Sequence, residues 1–364
     1  MKEINELSNG AVELLKTLIS IPSFSKEEEK TATAIASYFD QYGVQHHRID
    51  KNVFAFNLHF DPSKPTILLN SHHDTVRPNP GYSKDPFTPI VDGGRLYGLG
   101  SNDAGGCLVS LLATFLHFYH HQGLKYNLCF AATAEEEISG VCGMELFIKE
   151  VQTFHPLGKH PDDFAIIGEP TLMQMAVAEK GLLVLDAVAT GKSGHAAREE
   201  GVNALYIAVE DIVWISGYGF PKVSPFLGPV KMSVTSIFTE NKAHNVVPDT
   251  CTFVVDVRIN ELYTFDEVID IVATHIKSDI KPRSMRLKSS MIPESHPIVK
   301  AGSDMGRQMY GSPTTSDKAL VGMPALKIGP GDSARSHTAD EYIYLQEITT
   351  GIGDYITLIE KIMK

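Results

Sequence analysis

Hydrophobic and polar positions along this chain switch between two patterns. Short, nearly continuous apolar runs at 52–58, 66–71, 127–133 and 164–168 are bounded by polar or turn-forming residues, which predicts buried strands. Between them, apolar positions recur at helical spacing. The N-terminal stretch predicts an amphipathic helix ending near Ile21-Pro22, and the apolar stretch 107–118 predicts another helix. Ser25 with Glu28 predicts a capping box for a helix through Phe39. Strands and helices in this order build an α/β sheet.

From 179 to 291 the order changes. A strand (182–189), a helix (203–216), two strands (230–238 and 252–259), a helix (264–277) and a last strand (285–289) spell β-α-β-β-α-β, the ferredoxin-like arrangement. The chain then resumes with a helix (297–310), a strand (325–328) and a terminal helix from Leu345. The fold class is therefore α/β, with residues 1–178 and 292–364 forming one domain and residues 179–291 an inserted ferredoxin-like domain. The first domain is expected to have a mixed central sheet with helices on both faces.

Chemistry-bearing residues gather where the strands of the first domain end. The run at 66–69 leads into SHHDTV, in which His72 and Asp74 lie two residues apart, so an extended backbone points both to one face. Imidazole is the commonest protein metal ligand, and a metal-bound histidine needs an acceptor to fix its tautomer. Asp103, in the glycine-rich GLGSNDAGG before a helix, suits either a helix N-cap or a ligand. The run LCFAATAEEEISG ends in Glu135, Glu136 and Glu137. Adjacent carboxylates repel one another and gain from a cation, although a solvated acidic turn has the same composition. Glu169 follows the run at 164–167, and His337 lies in a glycine–proline loop after 325–328. In open α/β sheets ligands bind outside the carboxyl ends of strands, so clusters placed there point to a metal site.

The segments SHHDTV, GLGSNDAGG, ATAEEEISG, IIGEPT, GKSGHAAREEGVNAL, HNVVPD and GPG…SHTADE resemble the co-catalytic zinc aminoacylase and carboxypeptidase family. That family includes acetylornithine deacetylase, succinyl-diaminopimelate desuccinylase and glutamate carboxypeptidases, and the segments run in its order over nearly the whole chain. The resemblance implies two zinc ions per chain, replaceable by cobalt. One is held by His72 and Glu169, the other by Glu137 and His337, with Asp103 bridging both and Asp74 orienting the ring of His72. The family pattern Thr-Ala-acid-Glu-Glu lies over 133–137, which makes Glu136 the general base, Glu137 the ligand and Glu135 a bystander. A one-residue slip would move both roles to Glu135 and Glu136.

The inserted domain serves this family as a lid and often as a dimerisation surface. By resemblance, His195 hydrogen-bonds the oxyanion, often from a partner subunit, and Asn245 and Arg258 bind the substrate carboxylate. On the residues alone, His195 reads as an ordinary loop histidine and Arg258 as a surface strand residue. Lys180 and the turn Thr315-Ser316-Asp317 are further candidates to line the pocket. Arg77 stands near where relatives commonly carry proline, and a cation there favours a second carboxylate on the acyl group, such as succinyl.

Composition narrows the alternatives. At 364 residues the chain is long enough for two cores, and a net charge of −12 argues against a nucleic-acid partner. No apolar run reaches the ~18 residues of a membrane span, and the N-terminus lacks the features of a signal peptide. Cys107, Cys129, Cys142 and Cys251 show no Cys-x-x-Cys spacing and read as reduced thiols of a cytoplasmic protein. The implied activity is a di-zinc amidohydrolase that removes an acetyl or succinyl group from the amine of an amino acid such as ornithine, in arginine biosynthesis. Its partners are then a small-molecule N-acyl amino acid and a second copy of the chain through the inserted domain. A zinc dipeptidase or carboxypeptidase is the alternative among enzymes. A non-catalytic zinc-binding protein of the same fold is the alternative outside them, and the retained base argues against it.

Overall fold

The computed structural model describes residues 2–198 and 200–363. The chain divides into two compact units, Met1–Val177 with Ile292–Tyr310 and Ser316–Lys364, and Ala178–Met291 with Gly311–Thr315.

In the first unit, strands order as His46–Ile49, Asn52–Phe56, Asn127–Thr133, Thr66–His72, Phe164–Ile167, Ala325–Lys327 and Met175–Glu179. Thr66–His72 is parallel to both of its neighbours, Asn127–Thr133 and Phe164–Ile167, and the latter is parallel to Ala325–Lys327. Antiparallel strands close the sheet on either side. Parallel strands covered on both faces read as unbroken apolar runs, and every residue of Thr66–His72 and of Asn127–Thr133 is buried. Alternate side chains go to opposite faces. Leu68, Cys129 and Ala131 share a cluster with Met144, Phe147 and Val151 of the helix Met144–Val151. Phe130 instead meets Phe39 and Phe115, at ring separations of 5.7 and 6.0 Å, from the helices Glu29–Gln41 and Gly106–Phe118. The helices Lys2–Ile19 and Leu345–Met363 flank Gly106–Phe118. The result is a mixed central sheet with helices on both faces.

The consequence for function lies in the strand order. The chain leaves Thr66–His72, crosses to Asn127–Thr133 on one side, then returns to Phe164–Ile167 on the other. Connections diverge there, leaving a crevice at the strands' carboxyl ends.

The second unit is a four-stranded antiparallel sheet ordered Lys231–Phe238, Thr250–Ile259, Gly181–Thr190, Asp279–Pro282, with helices Ala204–Gly217 and Phe265–His275. This is the βαββαβ order. Leu183, Leu185, Ala187 and Ala189 alternate inward and pack with Phe253, Val255 and Val257 against Ala204, Ala208, Val268 and Val272. One face is solvated, as antiparallel sheets permit.

Three expected elements differ. Glu29–Gln41 has no side-chain cap. Ser25 Oγ donates to Asp74 at 2.6 Å, and the Glu28 carboxylate accepts the N–H groups of Lys26 and Glu135. The last strand of the four-stranded sheet is Asp279–Pro282. Met285 packs on the core and Leu287 is buried without joining it, which reproduces the apolar rhythm of a strand. The helix from Pro297 stops at Asp304, because Gly306 takes φ +78 and Arg307 N–H returns to the Gly302 carbonyl; Met309–Ser312 is a strand.

Thr264 caps Phe265–His275 reciprocally with Glu267: Thr264 Oγ1 accepts the Glu267 N–H, and the Glu267 carboxylate accepts the Thr264 N–H. Thr264→Ala should destabilise the second unit by about 0.5–2 kcal/mol. Glu267→Ala added to it should cost less than the two single losses combined, as read from urea unfolding of the four members of the cycle.

Candidate metal centre

His72, the acidic turn and Glu169 each sit where a strand stops. His72 is the last residue of Thr66–His72 and is 1% exposed. Its Nδ1 lies 3.0 Å from the Asp74 carbonyl oxygen and 3.4 Å from Asp74 Oδ1. A carbonyl only accepts, so Nδ1 carries a hydrogen, which makes Nε2 the ring atom that could ligate a cation. That Nε2 lies 3.3 Å from Asp103 Oδ1, 3.7 Å from Glu169 Oε1 and 3.9 Å from Glu136 Oε2.

Asp74 also organises the acidic turn. Its Oδ1 accepts the Glu136 N–H at 3.0 Å, and its Oδ2 accepts the Glu137 N–H at 3.1 Å and the Ser25 hydroxyl. Burial raises the pKa of this carboxyl, but the bonds from His72 and Ser25 outweigh it and leave Asp74 below the usual carboxylate range. Among the three adjacent glutamates, Glu135 turns the other way. Its Oε1 is 3.8 Å from Lys51 Nζ and its Oε2 accepts the Cys142 N–H.

Asp103 does not cap a helix. It lies in an irregular turn, φ −113 and ψ 101, after Gly100 at φ +74. Its Oδ1 faces His72, while its Oδ2 is 3.7 Å from Nε2 of His337. That same nitrogen is 3.0 Å from Glu137 Oε2. The group at the strand ends therefore divides in two, His72 with Glu169 and His337 with Glu137, and Asp103 has one oxygen toward each.

The field is strongly anionic. The bond to Glu137 raises the pKa of His337 to about 9, against the effect of its partial burial. Burial raises Glu136 well above the ordinary carboxyl range, with Glu169, Asp317 and Glu137 adding to the shift. Imidazole nitrogens and carboxylates are the donors zinc takes, and four ligands at about 2.1 Å stand about 3.4 Å apart, inside the range of separations seen here. Two overlapping triplets, His72–Asp103–Glu137 and His72–Glu136–Glu169, have all ligand atoms within 4.8 Å. The residues fit a cation pair. Distance alone leaves Glu136 near the same atoms as the others.

Of the remaining expected residues, His195, Asn245, Arg258 and Lys180 belong to the second unit. His195 pairs with Val246 in a two-residue ladder, and the adjacent Ala196 N–H bonds the Asn245 carbonyl, so His195 and Asn245 are brought together there. Both are exposed, and His195 Nδ1 accepts the Ala197 N–H. The Arg258 guanidinium forks onto Asp256 at 2.8 and 3.1 Å, so its two-pronged site already holds a carboxylate. Lys180 Nζ donates to the Pro229 carbonyl. In the first unit, Asp317 is buried and accepts the Thr133 hydroxyl. Arg77 lies over the Phe24 ring and 3.6 Å from Glu27, with its side chain 75% exposed. Its charge is matched at the surface. All four cysteines are free.

Two residues escaped the sequence reading. Ser25 looked like a helix cap, and Glu341 carried no signal beyond ending the SHTADE segment. Glu341 is 2% exposed; burial and Asp103 raise its carboxyl to about 8 against three backbone N–H bonds.

The profile of peptidase family M20/M25/M40 matches residues 68–361, and the chain belongs to that family, whose members are metal-dependent hydrolases. Among curated proteins it is similar to acetylornithine deacetylase of Proteus mirabilis, 28% identical over 91% of each chain. It is also similar to succinyl-diaminopimelate desuccinylase 2 of Ruegeria sp., 26% identical over 73% of this chain and 69% of that protein. A LysW-lysine/LysW-ornithine hydrolase of Sulfurisphaera tokodaii is 27% identical over 98% and 97%. The fold matches aminopeptidase PepT of Bacillus cereus, with a TM-score of 0.75 at 18% identity over 98% of this chain and 99% of that one. It also matches a dinuclear metal binding M20 peptidase of Bacillus subtilis, with a TM-score of 0.71 at 14% identity over 99% of each. Among the described residues no helix is long and apolar enough to cross a membrane.

Glu137→Gln should lower bound metal per chain, whereas Glu135→Gln, altered on the Lys51 side of the turn, should leave it unchanged. Elemental analysis after zinc reconstitution and desalting reads the difference; metal lost from Glu136→Gln and kept by Glu137→Gln would shift the acidic triplet by one residue.

Proposed function

We propose that this chain is a two-zinc amidohydrolase that removes an acyl group from the amine of an amino acid. The observation that carries the reading is Asp103, with one carboxylate oxygen toward His72 and Glu169 and the other toward His337 and Glu137. Those five side chains would hold the ions, with cobalt as a substitute. When bound, such a pair polarises an amide carbonyl and lowers the pKa of water toward neutrality.

The rest falls to the chain's own residues. Asp74 fixes the tautomer of His72 through Nδ1, and through its two N–H bonds it fixes the backbone of Glu136 and Glu137. Glu136 is the general base: its carboxylate takes a proton from the nucleophilic water and delivers it to the leaving amine as the C–N bond breaks. The orientation of Glu135 toward Lys51 supports this assignment over the neighbouring register. In the second unit, His195 is the proposed oxyanion donor, and Asn245 and Arg258 the proposed carboxylate contacts.

Relatives named for removing succinyl or acetyl groups support an N-acyl amino acid as the substrate, with acyl ornithine in arginine biosynthesis as the leading example. A homodimer through the second unit is supported by its helix Ala204–Gly217, where Tyr206, Val209 and Val213 are 68%, 46% and 64% exposed at helical spacing. The edge strand Lys231–Phe238 adds exposed Ile237 and Phe238.

The decisive assay is a panel of acetyl- and succinyl-ornithine, acetyl-lysine, succinyl-diaminopimelate and dipeptides with zinc-loaded protein. Turnover confined to dipeptides would replace this reading with a peptidase. On the accepted substrate, Glu136→Ala should keep both metals and lose about 10²–10⁴-fold in kcat.

His195→Ala should lower kcat about 10²–10³-fold with metal content intact. Mixing it with Glu136→Ala chains should restore partial activity if His195 acts across the dimer. No recovery after verified subunit exchange would place its action within one chain.

A further inference from the structure

The Asp103 turn is held from below by one segment. The strand Arg95–Tyr97, which leads into the turn, pairs antiparallel with Tyr342–Tyr344. At the next step Gly98 N–H bonds the Glu341 carbonyl. The Glu341 side chain then enters the turn itself: Oε1 accepts the N–H of Asn102 at 2.8 Å and of Asp103 at 2.9 Å, and Oε2 accepts that of Gly100 at 3.1 Å. A second tie runs the other way. Asn102 Nδ2 donates to the Asp332 carbonyl at 3.0 Å, and Asn102 Oδ1 accepts the Asp332 N–H at 3.1 Å. Asp332 and Glu341 bracket His337 in sequence. The turn that presents Asp103 and the loop that presents His337 are thus bolted together at two points.

We propose that Glu341, with the Asn102–Asp332 pair, is a positioning clamp that sets Asp103 against His337 and thereby sets the affinity for the second of the two cations. The inference rests on the two-cation reading above. His72 stands outside the clamp: it ends a central strand, and Asp74 fixes its ring. Glu169 likewise follows a strand of the central sheet. Among the described residues the Glu137–His337 side has no such support for its histidine, which sits at φ +59 in a loop with a half-exposed ring. Loosening the clamp therefore weakens one ion and spares the other. Glutamine at 341 keeps the shape but exchanges one acceptor oxygen for an N–H donor, which then faces a backbone N–H.

The test is a stepwise cobalt titration of metal-free protein, followed by calorimetry and visible absorption, with thermal unfolding of the metal-free forms as the control for fold. Wild type should show two binding steps. Glu341→Gln should retain the first and weaken the second about 10–100-fold, the usual range when a group orienting a ligand is lost. Two unchanged steps in Glu341→Gln would overturn the clamp. So would loss of both steps in a Glu341→Gln chain that still unfolds cooperatively, because the clamp spares the first ion. Should Glu341→Gln not fold, Asn102→Ala cuts the tie to Asp332 and is read the same way: a selectively weakened second step supports the clamp, and two unchanged steps overturn it. Wild type taking up fewer than two cobalt ions would fail the two-cation reading itself, and the clamp with it.

Discussion

The site turns on how one carboxylate is shared between two imidazoles. Asp103 has its oxygens 3.3 and 3.7 Å from the Nε2 atoms of His72 and His337, and each histidine lies beside its own glutamate. Bringing carboxylates this close in a partly buried crevice is costly unless positive charge lies among them. The raised pKa values of His337 and Glu136 express that cost in the protein's own groups. The two divalent cations proposed above would answer it and would leave net positive charge for a developing oxyanion.

The scaffold explains why these groups meet at all. Four parallel strands end at one edge, and the loops that leave them carry His72, the acidic turn, Glu169 and His337. Asp74 links two of these loops by bonding the His72 ring side and the backbone of Glu136 and Glu137 together. Ser25, from the segment before Glu29–Gln41, completes its bonding. Although burial raises its carboxyl, the bonds from His72 and Ser25 keep Asp74 below the usual carboxylate range.

Much of this was legible in the sequence because burial writes itself into composition. Thr66–His72 and Asn127–Thr133 are buried on both faces, so their apolar runs stood out, and the acids that follow them were conspicuous. Gly181–Thr190 and Thr250–Ile259, along which burial alternates, were likewise legible as strands. Tertiary bonds were not legible. Ser25 and Glu28 have the spacing of a capping box, yet both are drawn into the loops around the site. Glu341 binds a turn 238 residues earlier, and nothing in its local pattern announces a buried acceptor of three N–H groups. Met285 and Leu287 show the same limit in the second unit: they keep the apolar rhythm of a strand, yet the sheet ends at Asp279–Pro282.

The claim that Asp103 divides the site into two cation positions is tested most directly by anomalous diffraction at the zinc edge from zinc-soaked crystals. The account predicts two peaks flanking the Asp103 carboxylate, one contacted by His72 and Glu169 and the other by Glu137 and His337, with Glu136 contacting neither. A single peak, or one coordinated by Glu136 in place of Glu137, would contradict it.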